Sequence, residues 1–242
     1  MPINFKNTSG LGSIKAKRIG SGTMNFKIAS TIVTDNLLFN LDMQNYSSGT
    51  TLPDSSGNSN NFTFYSAPTI TNSGTGTAYA TLSGNGAVAA SAILPANTNY
   101  SKGIVFLFTG ANFSNLIGSS AQETFWGAGS TTLQAGNNNG DGYSVVTSTI
   151  TLTTNTWYYV SMTFSGTTGW ALYVNGVARG TSATTTNRAS TSTPQIFSYA
   201  GNANNTTGKF AVAHTYTRAL TAAEHLQNAN YYLTRYSGSI PA

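Results

Sequence analysis

Apolar and polar positions alternate most clearly in residues 156–180, TWYYVSMTFSGTTGWALYVNGVARG. Successive side chains of a strand point to opposite faces. The two alternating sets are Tyr158, Val160, Met162 and Phe164 on one face and Trp157, Tyr159, Ser161 and Thr163 on the other. The first set is apolar and the second changes from aromatic to hydroxyl, which predicts a strand in a sheet with one buried face.

The residues that follow predict a three-stranded antiparallel unit. Residues 165–169, SGTTG, predict a tight turn, and residues 170–174 return as the second strand. The pair Asn175-Gly176 favours the positive φ angles of a type I′ turn. The third strand is therefore predicted to begin at Val177.

Shorter runs of the same alternation recur along the chain between clusters of Gly, Ser, Thr and Asn. They predict strands at 35–42, 61–64, 78–82, 87–94, 103–109, 123–127, 131–135, 143–147, 150–152, 194–199 and 208–216. The run 103–109, GIVFLFT, is the most apolar and is predicted to be central. Short strands at this spacing are typical of an all-β, two-sheet sandwich or jelly roll.

One helix is predicted near the C-terminus. Thr221 and Glu224 form a capping box, in which each side chain bonds the backbone N–H of the other residue. The helix is predicted to end near Leu233, between two anchoring arginines, Arg218 and Arg235. Its inward positions are predicted to be Leu226, Ala229, Tyr232 and Leu233.

Composition narrows the class of protein further. The 242 residues include 39% apolar residues, 7% charged residues and no cysteine. The missing cysteines exclude disulfides, zinc–thiolate sites and thiol catalysis. No apolar run reaches the roughly 18 residues of a spanning helix. The first residues lack the apolar core of a signal peptide, so we expect synthesis in a host cytoplasm.

The net charge of +5 lies entirely in the first 27 residues. These hold five cations and no acid, whereas the remaining chain holds six cations and six acids. We therefore divide the chain into a basic, extended docking arm at 1–30 and a neutral jelly roll at 31–242. The arm residues predicted to contact a partner are Phe5, Lys6, Lys15, Lys17, Arg18, Ile19, Phe26 and Lys27.

An acidic surface is the partner that this arm predicts, because cations and apolar residues occur together in it. A solubilising, flexible leader is the alternative, since termini are commonly disordered. Nucleic acid is disfavoured, because no arginine-rich run or basic aromatic groove follows.

Five motifs in order resemble the concanavalin A-like, laminin G-type jelly roll. They are LD at 41–42, DSSGNSNN at 54–61, NTWY at 155–158, LYVNG at 172–176 and RALTAAE at 218–224, with Asn228 and residues 235–236 after them. His225 departs from the family, which usually has an aliphatic residue there. Such domains with little charge are similar to those of bacteriophage structural proteins, so the resemblance implies a place in a virus particle.

Catalysis is not expected from the spacing of the acids. Glycosidases need two carboxylates close together, one as acid and one as nucleophile or base. Here six acids are scattered, and the closest pair, Asp35 and Asp42, falls on opposite faces of one predicted strand. The only histidines, His214 and His225, are predicted to be structural. We therefore expect a protein that is not an enzyme.

Two ligand classes remain open. Calcium needs several oxygen ligands, and Asp42 and Asp141 are its candidates, while Asp54 is predicted to close its own turn. No other cofactor is expected.

A glycan site stacks an aromatic ring on the sugar and surrounds it with amides. The candidates for such a site are Trp126, Asn137, Asn138, Asn139, Asp141 and Tyr143.

The sequence therefore predicts a non-catalytic accessory or decoration protein on the surface of a virion. Its arm binds other structural proteins of a phage capsid or tail, and its lectin-like jelly roll is displayed outward. The alternative is a carbohydrate-binding adhesion module. A third hypothesis is a homo-oligomeric receptor-binding tip of a tail fibre, with arms exchanged between protomers. Host-surface glycans are then the ligand, and no nucleic acid or membrane partner is expected.

Overall fold

The computed structural model describes residues 13–17, 23–27, 31–72, 77–110, 114–119, 123–127, 131–137 and 145–235. They form antiparallel sheets and one C-terminal helix, so the prediction of an all-β sandwich with a short helix is confirmed. No helix of these residues is long and apolar enough to cross a membrane.

The larger layer is an antiparallel sheet of eight strands. Its members in chain order are β3 (Leu37–Asp42), β6 (Thr69–Asn72), β7 (Ala78–Leu82), β9 (Tyr100–Phe108), β14 (Thr156–Ser165), β15 (Gly169–Val174), β16 (Val177–Ser182) and β18 (Gly208–Tyr216). The spatial order is β16-β15-β14-β9-β18-β7-β6, with β3 also paired to β18. The most apolar strand, β9, is central as predicted.

The second layer consists of two smaller sheets that share an edge. One has the order β10-β17-β8-β5-β4 and the other β11-β12-β13. Their strands are β4 (Thr51–Leu52), β5 (Phe62–Phe64), β8 (Ala87–Ala89), β10 (Ile117–Ser119), β11 (Glu123–Gly127), β12 (Leu133–Asn137), β13 (Val146–Thr147) and β17 (Pro194–Ile196). Backbone bonds from Leu116 N to Phe125 O (2.9 Å) and from Gly127 N to Ser114 O (2.7 Å) join them.

Apolar side chains of both layers form the main core, and the hairpin of residues 156–180 supplies much of it. The predicted apolar set of β14 (Tyr158, Val160, Met162 and Phe164) is buried there. Asn175 and Gly176 have φ of 51° and 80°, which confirms the predicted I′ geometry. Among the predicted strands, 150–152 is irregular, although Leu152 N bonds Thr131 O across 2.7 Å.

The opposite face of β14 is also buried, which corrects the prediction of a sheet with one exposed face. Helix α1 (Ala222–Arg235) covers it. Trp157 and Tyr159 pack in a second cluster with Ala229 and Tyr232 of this helix. Leu226, predicted to face inward, is 45% exposed, so this prediction was wrong.

Polar residues occupy the inward positions of α1 instead. His225 and Asn228 are fully buried. His225 Nδ1 lies 2.8 Å from Ser161 Oγ, and His225 Nε2 lies 2.7 Å from Thr163 Oγ1. The hydroxyl half of β14 therefore faces a histidine, and this pairing rotates Leu226 outward.

Both predicted arginine anchors hold the ends of α1. Glu224 accepts from Thr221 N (2.8 Å) in the predicted capping box and pairs with Arg218, whose other partner is the Asp35 carboxylate at 2.9 Å. Arg235 pairs with Asp42, with a second contact of 2.6 Å. The helix is therefore fixed to strand β3 at its last turn.

The described part of the predicted arm is a hairpin of β1 (Ser13–Lys17) and β2 (Thr23–Lys27), which pair with each other. The register pairs Ile14 with Phe26 and Ala16 with Met24. The remaining predicted arm contacts, Phe5, Lys6, Arg18 and Ile19, lie outside the described residues.

Candidate functional site

A cleft of about 380 Å³ opens on the outer face of the second layer. It lies between β11, the segment that precedes β10, and the loop that follows β17. Its described lining residues are Ser114, Asn115, Thr124, Trp126, Tyr199 and Asn204. Aromatic, amide and hydroxyl groups thus meet at one place, as in many small-molecule sites.

Trp126 reaches this cleft because side chains alternate along β11. Phe125 is fully buried in the core, and Trp126 is half-buried on the opposite face. The indole N–H of Trp126 is shielded from solvent and has no hydrogen-bond acceptor among the described residues. A ligand in the cleft can therefore contact the exposed part of the ring rather than its N–H.

The loop after β17 is held in an uncommon backbone conformation. Phe197, Ala200, Asn202 and Asn204 have φ of 55°, 43°, 73° and 46°. Left-handed backbone at non-glycine residues costs about 1–2 kcal/mol each and concentrates at ligand-binding segments. This conformation brings Tyr199 and Asn204 to the side of the cleft opposite Trp126.

Hydrogen bonds attach this loop to the segment before β10. Thr206 Oγ1 accepts from Ser114 N at 3.0 Å and donates to Asn115 O at 2.7 Å. Asn115 Nδ2 donates to Asn204 O at 3.0 Å. The two walls of the cleft are therefore one connected unit, and its shape is set before a ligand arrives.

The outer face of the second layer is polar beyond the cleft as well. Gln134 lies directly opposite Trp126 in the β11–β12 ladder, and its amide Nε2 donates to Thr147 Oγ1 at 3.3 Å. Further along the face, Gln195 Oε1 accepts from Tyr65 Oη (3.3 Å) and Ser198 Oγ (3.2 Å). Gln195 and Ser198 are buried, so of these amides it is Gln134 that is partly exposed beside Trp126.

The predicted glycan residues separate into three groups. Trp126 lies in the cleft. Asn137 is buried, accepts from Tyr100 Oη at 2.6 Å and donates to Thr186 O at 3.1 Å, so it is structural and its prediction as a glycan contact is corrected. The remaining candidates, Asn138, Asn139, Asp141 and Tyr143, lie outside the described residues.

Sequence reasoning missed the other lining residues of the cleft. Asn115 and Asn204 are 89 positions apart in the chain, so no local pattern joins them. Only the cluster of asparagines around Gly201 marked the loop as a turn region. Tyr199, the one aromatic residue in this polar stretch, was a usable signal.

The calcium candidates are occupied or undescribed. Both oxygens of Asp42 contact Arg235, and Oδ1 also accepts from Gln44 N at 2.9 Å. Asp54 accepts from the backbone of Asn40, Ser56 and Asn60, which confirms its predicted turn role. Asp141 lies outside the described residues, and those described contain no group of three acids or histidines suited to a metal.

The two histidines lie far from the cleft, under α1. His214 is within hydrogen-bond distance of Tyr159 Oη (3.0 Å) and Tyr232 Oη (3.3 Å). Burial lowers the pKa of both His214 and His225 to about 3. Both are therefore neutral at pH 7 and serve the packing of the helix.

A second cleft of about 420 Å³ lies between the start of α1 and strands β15 and β16. Its aromatic lining residues, Trp170 and Tyr173, are buried, and Tyr173 is stacked on His225 at 4.0 Å. This cleft therefore offers no exposed aromatic ring, in contrast to the one at Trp126.

A protein-family model described as the concanavalin A-like lectin/glucanases superfamily matches residues 44–224. The chain belongs to this superfamily. The match covers most of the jelly roll, including the Trp126 cleft, and it confirms the resemblance seen in the sequence motifs. No curated protein sequence matches the chain.

Several solved structures have a fold similar to that of this chain. Domain 4 of an extracellular arabinanase from Geobacillus stearothermophilus, in complex with arabinotriose, has a TM-score of 0.63 at 17% identity, covering 80% of this chain and 98% of that domain. The binding domain of Paraclostridial Mosquitocidal Protein 1 has a TM-score of 0.64 at 18% identity, covering 83% and 53%. This chain therefore spans about half of the toxin domain.

A third similar structure is an enzyme. Trypanosoma rangeli sialidase in complex with sialic acid has a TM-score of 0.58 at 13% identity, covering 85% of this chain and 34% of the sialidase. The superfamily fold thus occurs in catalytic and in binding proteins, and at these identities the likeness shows the fold alone.

Proposed function

We propose that this chain is a non-catalytic, carbohydrate-binding jelly roll whose glycan lies in the Trp126 cleft. The observation that carries the proposal is the partly exposed Trp126 ring in a cleft whose other lining residues carry amide and hydroxyl groups. A sugar ring suits such a cleft, because its C–H face stacks on an aromatic ring and its hydroxyls form hydrogen bonds with amides and hydroxyls.

The surroundings of Trp126 support this ligand class. Asn115, Asn204, Ser114 and Thr124 supply amide and hydroxyl groups around the ring. Two proteins of the same fold were solved with sugars, arabinotriose in the arabinanase domain and sialic acid in the sialidase. The fold is therefore compatible with the proposed class of ligand.

The non-catalytic part of the proposal rests on the four acids, of six in the sequence, whose side chains the structure describes. Asp35 and Glu224 pair with Arg218, and Asp42 pairs with Arg235. Asp54 is enclosed in its own turn. A glycosidase needs two free carboxylates across a sugar, and none of these four faces the Trp126 cleft.

A glycan array followed by calorimetry tests this function. We expect the wild-type protein to bind at least one glycan and Trp126→Ala to lose about ten- to hundredfold in affinity. Leu226→Ala is the matched control, because Leu226 is exposed on the helix of the opposite layer. No binding by the wild type, or equal binding by the Trp126 variant, contradicts the proposal.

We propose a second function for the N-terminal hairpin, attachment of the jelly roll to a phage capsid or tail as a virion decoration protein. The specific observation is that β1 and β2, in the segment that holds the net positive charge of the sequence, pair with each other. An isolated two-stranded hairpin is marginally stable, so an acidic partner surface is the expected complement. A homo-oligomeric fibre tip with exchanged hairpins is the competing arrangement.

Deletion of residues 1–28 tests attachment. We expect the shortened protein to keep its jelly-roll circular dichroism and thermal unfolding but to fail to bind the assembled particle. The triple variant Lys15→Ala, Lys17→Ala, Lys27→Ala is expected to bind weakly with reduced salt dependence. If the shortened protein still binds the particle as well as the full chain, the attachment hypothesis is wrong. If the deletion abolishes oligomers of the protein, the fibre-tip arrangement is favoured.

A further inference from the structure

We infer that the Trp126 cleft takes an uncharged saccharide and rejects anionic sugars such as sialic or uronic acids; this rests on the proposed function. The first observation is the distribution of cations in the sequence. Residues 103–178 and 189–208 contain no lysine or arginine. All six described lining residues of the cleft belong to these two stretches.

The only charges in these stretches are negative. They are Glu123 and Asp141. A carboxylate on a bound sugar therefore finds no cation for an ion pair on the segments that line the cleft.

The cations nearest in the fold are not accessible to a ligand in the cleft. Lys102 is buried between the layers, and its Nζ donates to Ile117 O at 3.1 Å. Arg188 is fully buried, with its guanidinium bonded to the carbonyl of Pro95 and stacked over the Tyr100 ring at 4.5 Å. Both groups therefore face the core.

Two further cations are partly exposed on the larger sheet, Arg179 on β16 and Lys209 on β18. Neither is among the described residues that line the cleft.

An anionic sugar therefore loses water around its carboxylate and gains no compensating cation, which is unfavourable. A neutral sugar loses only hydroxyl hydration, and the amides and hydroxyls that line the cleft replace it. The selectivity for neutral sugars thus follows from the charge of the cleft, whatever the identity of the glycan.

Matched glycan pairs test the inference directly. We propose an array that presents each neutral oligosaccharide beside its sialylated or uronic-acid counterpart, with calorimetry on lactose against 3′-sialyllactose and on methyl-esterified against free polygalacturonate. We expect neutral members to bind roughly tenfold or more tightly than their acidic partners. Equal or tighter binding of acidic members overturns the inference but leaves glycan binding in place, and no binding to any member overturns both.

A charge exchange at Gln134 provides the second measurement. Gln134 lies opposite Trp126 on the same face and is half-buried, so a lysine there adds a cation beside the cleft. Gln134→Lys is expected to narrow the neutral-to-acidic ratio by roughly two- to fivefold, whereas Gln134→Glu widens it. Identical ratios in the two variants contradict an electrostatic origin of the selectivity.

Discussion

The polar groups under α1 and those at the Trp126 cleft differ in how they are paired. On the larger sheet, α1 covers a network in which both nitrogens of His214 and of His225 have hydroxyl partners. Asn228 is equally engaged, accepting from Val33 N at 2.8 Å and donating to Tyr216 Oη at 3.1 Å. On the second layer, the shielded N–H of Trp126 has no acceptor among the described residues.

This difference separates scaffold from candidate site. A buried polar group that is fully paired inside the chain stabilises one arrangement and has nothing left for a ligand. The Trp126 cleft instead leaves part of an aromatic ring and its polar lining open to a ligand. The histidines, although they are the more familiar functional residues, therefore belong to the scaffold.

Acid is expected to have the largest effect, and it acts on the helix-covered face. The folded pKa of about 3 for His214 and His225 lies below the ordinary value of 6.5, so the unfolded chain binds more protons between these values. The free energy of unfolding is therefore highest above pH 6.5. Between pH 6.5 and 3 it falls by about 1.4 kcal/mol per pH unit for each histidine. We expect a loss of about 4 kcal/mol by pH 5.

Urea unfolding followed by tryptophan fluorescence at pH 7, 6 and 5 measures this loss. The variant His214→Gln removes one titrating group. Below pH 6.5 its free energy of unfolding should therefore fall with pH about half as steeply as that of the wild type. A free energy of unfolding that stays constant from pH 7 to 5 contradicts neutral, buried histidines.

The substitution His225→Ala should destabilise the protein by about 3 kcal/mol. It leaves Ser161 and Thr163 without their partner and removes the ring stacked on Tyr173. The neighbouring change Leu226→Ala is the control, with an expected effect below about 0.5 kcal/mol, because that side chain is exposed. Thermal and urea unfolding measure the loss of stability in the two variants. A larger loss in Leu226→Ala than in His225→Ala would show that Leu226 faces inward.

The substitution Trp126→Ala is expected to separate stability from binding. It should lower the glycan affinity about ten- to hundredfold. It should lower the free energy of unfolding by only about 1 kcal/mol, because the ring is partly exposed and its N–H has no partner among the described residues. Calorimetry of binding and of unfolding on one preparation measures both. A loss of stability as large as that of His225→Ala shows that Trp126 belongs to the core.

Local alternation was sufficient to predict much of the scaffold. The strands Ala78–Leu82, Glu123–Gly127 and Gly208–Tyr216 have the bounds that their sequence pattern predicted. The inward face of α1 was not predictable in this way, since His225 is buried by hydroxyls 62 and 64 positions away. Trp126 was predicted to bind glycan together with the amides of residues 137–139. In the described structure, Tyr199 and Asn204 of a distant loop line the cleft with it.

Removing the Arg218 anchor should have a moderate effect. Hydrogen bonding to Arg218 lowers the pKa of Glu224 to about 2, and the pair lies close to the surface. Arg218→Gln is therefore expected to cost about 1 kcal/mol and to return the pKa of Glu224 toward its ordinary range. A carboxyl titration followed by NMR measures the pKa, and an unchanged value shows that the capping box alone is responsible.

The smallest expected effect lies in the cleft loop and has the opposite sign. Ala200 is exposed with φ of 43°, a conformation that costs alanine about 1 kcal/mol but costs glycine almost nothing. Ala200→Gly should therefore stabilise the protein by a few tenths of a kcal/mol, after the greater entropy of the unfolded glycine chain is subtracted. Ala203→Gly, in the same loop without a positive φ, should destabilise it, so calorimetric melting of the two variants should shift in opposite directions. Shifts of the same sign would mean that the loop is not held in the left-handed conformation, and the prearranged shape of the Trp126 cleft would lose its physical basis.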